Sequence, residues 1–170
     1  SAGVVLLPPI PTPRFDSLAK PVLIALAHRL PCPLLVTRGT HPYKNILVPY
    51  NGTRASNRSL EVAVDLATQL GGSVTVAVVE EPGFLHEEAL EETSWLETVL
   101  GQVRERAHIL KTKLHEEVRK GNPVKEITAL ASDYDLLVLG STTREKEFFA
   151  PHVGELLARK VPCSVLIVST

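Results

Sequence analysis

Cysteine is scarce in this 170-residue chain, with Cys32 and Cys163 the only two. Two thiols cannot build a disulfide framework, and their separation matches no metal-ligand spacing. Both therefore read as small buried apolar residues. Excess charge of either sign is also missing: 18 Lys and Arg stand against 19 Asp and Glu, a net charge of −1, and the basic residues are scattered. Such a balance creates no field that would gather nucleic acid, so nucleic acid is not an expected partner. Long apolar runs are lacking too, since Val4–Pro11 and Asn45–Pro49 stop well short of the roughly 20 residues that cross a bilayer. Direct membrane insertion is not expected. The N-terminus has neither the basic start nor the apolar stretch and small-residue cleavage site of a signal peptide, which points to the cytoplasm. Six dispersed histidines show no zinc spacing, and no metal is expected.

What remains is an ordinary globular composition, 44% hydrophobic and 22% charged, with enough length for one domain and some material left over. An internal repeat accounts for that surplus. Leu30-Pro31-Cys32-Pro33-Leu34-Leu35-Val36 matches Val161-Pro162-Cys163-Ser164-Val165-Leu166-Ile167 at an offset of 131 residues. At the same offset Val5-Leu6-Leu7 falls on Leu136-Leu137-Val138, Leu26-Ala27-His28-Arg29 falls on Leu157-Ala158-Arg159-Lys160, and Pro9 falls on Gly140. An apolar run, a helical stretch and a second apolar run thus occur twice, one domain length apart. Residues 1–38 read as the last strand, helix and strand of a first domain, residues 39–43 as a linker, and residues 44–170 as a complete second copy.

Within that copy Asn45–Pro49 is a strand-length apolar run that ends in the turn signal Tyr50-Asn51-Gly52-Thr53. Leu60, Ala63, Val64, Ala67 and Leu70 recur at helical spacing, and Gly71-Gly72 closes the segment. Ser73–Val79 is dominated by Val, the character of a continuous strand buried on both faces. An acidic loop over Glu80–Glu92 leads to a helix at about Ser94–Lys111, then to a short strand near Leu114–Arg119. Gly121-Asn122-Pro123 opens another helix. A strand over Asp135–Leu139, a loop, a helix over Val153–Lys160 and a strand over Ser164–Val168 complete the chain. Alternating strands and helices predict an α/β fold, a doubly wound parallel sheet of five strands with helices on both faces and a ligand crevice beyond the carboxyl ends of the strands. The strand–helix–strand remnant is appended to it.

The segments Ile46-Leu47-Val48-Pro49-Tyr50-Asn51-Gly52-Thr53, Val78-Val79, Lys120-Gly121-Asn122-Pro123, Asp135-Leu136-Leu137-Val138-Leu139-Gly140-Ser141 and Val161–Val168 follow one another in the order and spacing of the universal stress protein family. Residues 44–170 resemble that family end to end, and residues 1–38 resemble the close of another such domain in a tandem arrangement. The resemblance implies the adenine-nucleotide alpha-hydrolase-like form of the doubly wound fold. It further implies pairing through the final strands, either in a homodimer or as an intramolecular pseudo-dimer, and a possible place in the same polypeptide as a membrane transporter.

In ATP-binding members an Asp follows the first strand, and a loop of pattern Gly-x2-Gly-x9-Gly-Ser/Thr follows the fourth. Carried over, the nucleotide crevice falls on Pro49, Asn51 and Gly52 after the first strand, on Val78 at the end of the second, and on Gly140, Thr143, His152 and Val153 around the loop. Asn51 stands in place of the Asp, and an amide is a weaker acceptor than a carboxylate. Thr143 replaces the second glycine, Pro151-His152 replaces Gly-Ser, and the loop is about two residues short. Proline has no N–H to offer a phosphate, and threonine resists positive φ. The expected function is a regulatory or sensing module with a degenerate nucleotide pocket. No catalytic residue is assigned, and ATP or AMP is expected to bind weakly if at all. The alternative is an ATP-binding domain with slow hydrolysis.

Overall fold

A computed structural model of the chain describes residues 3–8, 22–39, 42–81, 92–142 and 151–170. Thr143 and most of the acidic loop lie outside the described residues, as do Pro9 and the linker residues Thr40 and His41. The elements run β1 (Val5–Leu7), α1 (Val22–Ala27), β2 (Leu34–Val36), β3 (Asn45–Pro49), α2 (Arg54–Leu70), β4 (Ser73–Glu80), α3 (Glu92–Ile109), β5 (Leu114–Lys120), α4 (Pro123–Leu130), a 3-10 turn at Ala131–Asp133, β6 (Leu136–Ser141), α5 (Pro151–Lys160) and β7 (Ser164–Ser169). They build one sheet in the order β1-β2-β7-β6-β3-β4-β5. Five strands, β3 to β7, are mutually parallel. The sheet then continues past β7, where β2 pairs antiparallel and carries β1 with it.

Successive strand residues point to opposite faces, and each central strand supplies two cores. Ile46, Val48, Val74, Val76, Leu136, Val138, Leu166 and Val168 pack beneath α2 and α3 with Leu60, Val64, Val99 and Val103. Leu47, Ala77, Val79, Leu137, Leu139, Val165 and Ile167 face the other way, against α1, α4 and α5. This two-sided burial is why the strands read as continuous apolar runs. Helix starts follow from local chemistry. Thr53 caps α2 by accepting from the Ser56 N–H at 3.3 Å, and Asn122 caps α4 by accepting from Lys125 N–H at 3.1 Å, with Pro123 in the first turn.

Two boundaries differ from the sequence expectation. β6 runs on to Ser141, because Gly140 and Ser141 keep pairing with Val168 and Ser169 of β7. It starts at Leu136 because the Asp135 carboxylate is turned back to accept the N–H groups of Lys44 and Asn45 at 3.1 and 2.8 Å. α5 starts at Pro151 rather than Val153, a position where a missing N–H costs nothing.

The β2–β7 register is informative. Leu35 lies opposite Leu166, and these two residues are also matched by the internal repeat, so a local twofold axis passes between them. α1 and α5 pack on the same side of the sheet about that axis. The first strand needs one correction to the ungapped alignment. Val5 pairs with Leu34, whereas Leu137 pairs with Val165. Val5 therefore corresponds to Leu137 rather than Leu136, and Pro8 rather than Pro9 stands at the position of Gly140.

The N-terminal segment is fastened by polar contacts as well as by apolar burial. The fully buried Glu155 accepts the N–H groups of Leu23 and Ile24 at 2.7 and 3.2 Å and pairs with Arg159 at 2.7 Å. After β2, Arg38 turns its guanidinium onto the C-terminal end of α5, donating to the carbonyls of Ala158, Arg159 and Cys163 at 2.7–3.2 Å. A cation at a helix C-terminus is the favourable polarity.

Candidate functional site

Beyond Leu47 and Leu137 the ladder between β3 and β6 ends, although both strands continue. Beyond Pro49 and Ala77 the ladder between β3 and β4 ends as well. The sheet therefore opens on both sides of the carboxyl end of β3, the switch point at which doubly wound sheets bind ligands.

Pro49 is buried as the last residue of β3. The next residue, Tyr50, is 1% exposed and inserts under α2 and α3, donating its hydroxyl to Asn57 Oδ1 at 2.7 Å. Burial raises its pKa, with Arg106 opposing the shift. Asn51 turns its amide oxygen inward, where it accepts the Thr53 N–H at 3.2 Å and the Thr53 hydroxyl at 2.7 Å. This oxygen is spent on the turn, which leaves the amide N–H groups as the side chain's free capacity. Gly52 has φ +80, and Gln102 Oε1 of α3 occupies the place a Cβ would take. That oxygen is itself buried without a hydrogen-bond partner. Val78 points into the α2/α3 core at 1% exposure, so only its backbone faces the opening.

On the β6 side a Cβ at Gly140 would collide with the Ala55 carbonyl oxygen. Glycine is required there because the first turn of α2 sits directly on the strand. Ser141 follows as a strand residue, 2% exposed, with His28 Nε2 at 2.9 Å from its hydroxyl oxygen. Desolvation lowers the His28 pKa. Thr170 Oγ1 donates to the Ser141 carbonyl at 3.3 Å. Thr143 falls outside the described residues. His152 is exposed on the first turn of α5, and Val153 is half-buried against the core on the α5 face.

The structure thus gathers Pro49, Asn51 and Gly52 on one turn and brings Gly140 against α2, with His152 and Val153 on the helix that follows the loop. His28 and Gln102 belong to the same region and carry no motif. His28 is 113 residues from Ser141 in the chain, so only the tertiary pairing brings it there. Among the described residues, no three His, Cys, Asp or Glu side chains are grouped to hold a metal, and no helix is long and apolar enough to cross a membrane.

A family model described as the universal stress protein family matches residues 42–169. The chain belongs to the universal stress protein family. A universal stress protein of Methanocaldococcus jannaschii is 27% identical over 149 residues, covering 79% of this chain and 86% of its own. Among solved structures, a universal stress protein in complex with cAMP is similar over 75% of this chain and 98% of its own, with a TM-score of 0.58 at 23% identity. A universal stress protein from Archaeoglobus fulgidus matches 98% of this chain but only 60% of its own length, with a TM-score of 0.64 at 17% identity. At these identities the solved structures speak for the fold. The universal stress protein described here shares their mostly parallel sheet with flanking helices.

Proposed function

We propose that this universal stress protein is a regulatory module that senses a small ligand at the carboxyl end of its sheet and relays that state through residues 1–38, without catalysing a reaction. The hydrogen bond between His28 and Ser141 carries the reading. It joins the N-terminal segment to the strand that feeds the crevice loop, so filling the crevice and seating the segment are linked. We read residues 1–38 as the close of a sister domain and the β2–β7 contact as an intramolecular pseudo-dimer. The local twofold at Leu35 and Leu166 supports this, as does the Archaeoglobus structure that matches nearly the whole chain. The compartment we assign is the cytoplasm, free or tethered to a transporter in the same polypeptide.

The ligand class is an adenine nucleotide, held weakly. Support comes from the relative described in complex with cAMP, set against three features that weaken the site here. The Asn51 oxygen is committed to Thr53, Gly140 is committed to packing on Ala55, and Pro151 brings no N–H to a phosphate. Titrating the full chain with a fluorescent ATP analogue tests the reading. Dissociation constants weaker than about 1 μM, roughly −8 kcal/mol, are expected. Tighter binding would favour the second reading, an ATP-binding domain with slow hydrolysis. The relay is tested separately by deleting residues 1–38, which should cause aggregation or a new oligomeric state, since the deletion uncovers the apolar edge of β7 and the α5 face. A truncated chain of unchanged size and melting temperature would sink it.

A further inference from the structure

On the α2/α3 face, away from α5, the start of α2, the later turns of α3 and the end of β7 enclose an open cleft of about 590 Å³. Arg54, Arg58 and Glu61 of α2 line it with Arg106 of α3 and the residues Ser169 and Thr170. Arg54, Asn57, Arg58 and Glu61 recur at the spacing that stacks side chains along one helical face. Arg106 joins them from the neighbouring helix. Three guanidinium groups face one carboxylate. Glu61 is shared between Arg58 at 3.3 Å and Arg106 at 3.5 Å, and Arg54 makes no ion pair among the described residues. The wall behind them is held firm where the buried Tyr50 hydroxyl donates to Asn57 Oδ1 at 2.7 Å, and the Arg106 charge opposes the rise in the Tyr50 pKa.

We propose that this cleft binds a small hydrophilic polyphosphate. Guanidinium forks match phosphate oxygens in pairs and keep their charge at any physiological pH. The excess of guanidinium over Glu61 favours an anion of multiple charge, which can engage Arg54 together with the donors that Glu61 leaves unused on Arg58 and Arg106. The volume lies within the range of small-molecule pockets and exceeds what one phosphate fills. Among the described residues no aliphatic or aromatic side chain lines the cleft, so a nucleobase would find no ring there to stack on, whereas hydroxyls and phosphates would find donors at Asn57, Ser169 and the arginines. The cleft adjoins the crevice, since Arg54 follows the Asn51-Gly52-Thr53 turn and Thr170 bonds the Ser141 carbonyl, but it is built from side chains that the crevice does not use.

The test is calorimetric titration of the full chain with inorganic tripolyphosphate at low ionic strength. Saturable one-to-one binding is expected. Replacing both Arg54→Gln and Arg58→Gln should weaken it by about tenfold or more, two charge-assisted forks being lost. Glu61→Gln should tighten it roughly threefold or more by freeing two guanidinium groups. The matched control is Glu116→Gln, which removes the same charge on β5 and likewise frees an arginine, Arg104; it should change affinity by less than about twofold, because distant surface charge is screened. His152→Ala, at an exposed residue on α5, should leave tripolyphosphate binding unchanged. The proposal is overturned if wild type shows no saturable binding, if Glu61→Gln and Glu116→Gln act alike, or if citrate binds as tightly as tripolyphosphate.

Discussion

Replacing Glu155 by alanine should detach the N-terminal segment more effectively than any other single change. Glu155 is 0% exposed and its carboxylate holds three donors: the N–H groups of Leu23 and Ile24 and the Arg159 guanidinium. Hydrogen bonds to a charged group contribute about 1.5–3 kcal/mol each, and truncating one partner of a buried ion pair typically costs about 3–5 kcal/mol. These figures describe overlapping losses, so the larger one is taken for the whole: Glu155→Ala should cost about 3–5 kcal/mol. For a chain of this size each kcal/mol lowers the melting temperature by roughly 2–4 °C, which gives a fall of about 6–20 °C. Glu155→Gln keeps an acceptor for α1 and should lose about half as much. Far-UV circular dichroism melts give the temperature, and limited proteolysis shows where the chain opens. Cleavage between α1 and β2 should appear in Glu155→Ala before any cut in α2. A fall below about 2 °C, within the range of an ordinary surface substitution, would refute the reasoning.

Three other outcomes are expected. Gly140→Ala forces a methyl group onto the Ala55 carbonyl, and overpacking of this kind costs about 1–3 kcal/mol in thermal or urea denaturation. Burial pushes the Cys163 thiol up to about 11, so at pH 8 an aromatic disulfide reagent should label the half-buried Cys32 and leave Cys163 unreacted until the protein unfolds. His28 has its pKa lowered below 6.5 by desolvation. The folded state therefore resists its protonation, and its contribution to stability is present above pH 6.5 and lost as pH falls through the depressed folded pKa. Urea melts between pH 7.5 and pH 5 should show that loss, smaller in His28→Gln; an identical slope in the variant would remove His28 from the account.

Much of the fold was legible because its strands are buried on both faces. Val74, Val76 and Val78 go to one core and Ala77 and Val79 to the other, and the one polar residue among them, Thr75, is itself buried, so the run reads as a strand covered on both faces. The repeat aligned Leu35 with Leu166 but could not give the antiparallel sense of the β2–β7 pairing, which only the structure supplies. The end of β6 was not legible either, because Gly140-Ser141 looks like a turn until β7 is beside it. Glu155 illustrates the limit most clearly. It replaces Ile24 of the repeat, and in sequence it is one more acidic residue on a helix. Its role depends on the bare N–H groups of α1, which lie 131 and 132 residues away. Arg106 is similar: the α2 stripe can be counted along the chain, but its partner on α3 is joined to it only by packing.

The covalent join between the N-terminal segment and the rest of the chain alters the kinetics of the β2–β7 contact. In a pair of separate chains, association through the final strands is second order and weakens on dilution. Here β2 reaches β7 within one polypeptide, and a short tether of this kind sets an effective concentration on the order of millimolar, whatever the amount of protein present. Opening and closing of the contact thus becomes a unimolecular equilibrium, indifferent to expression level.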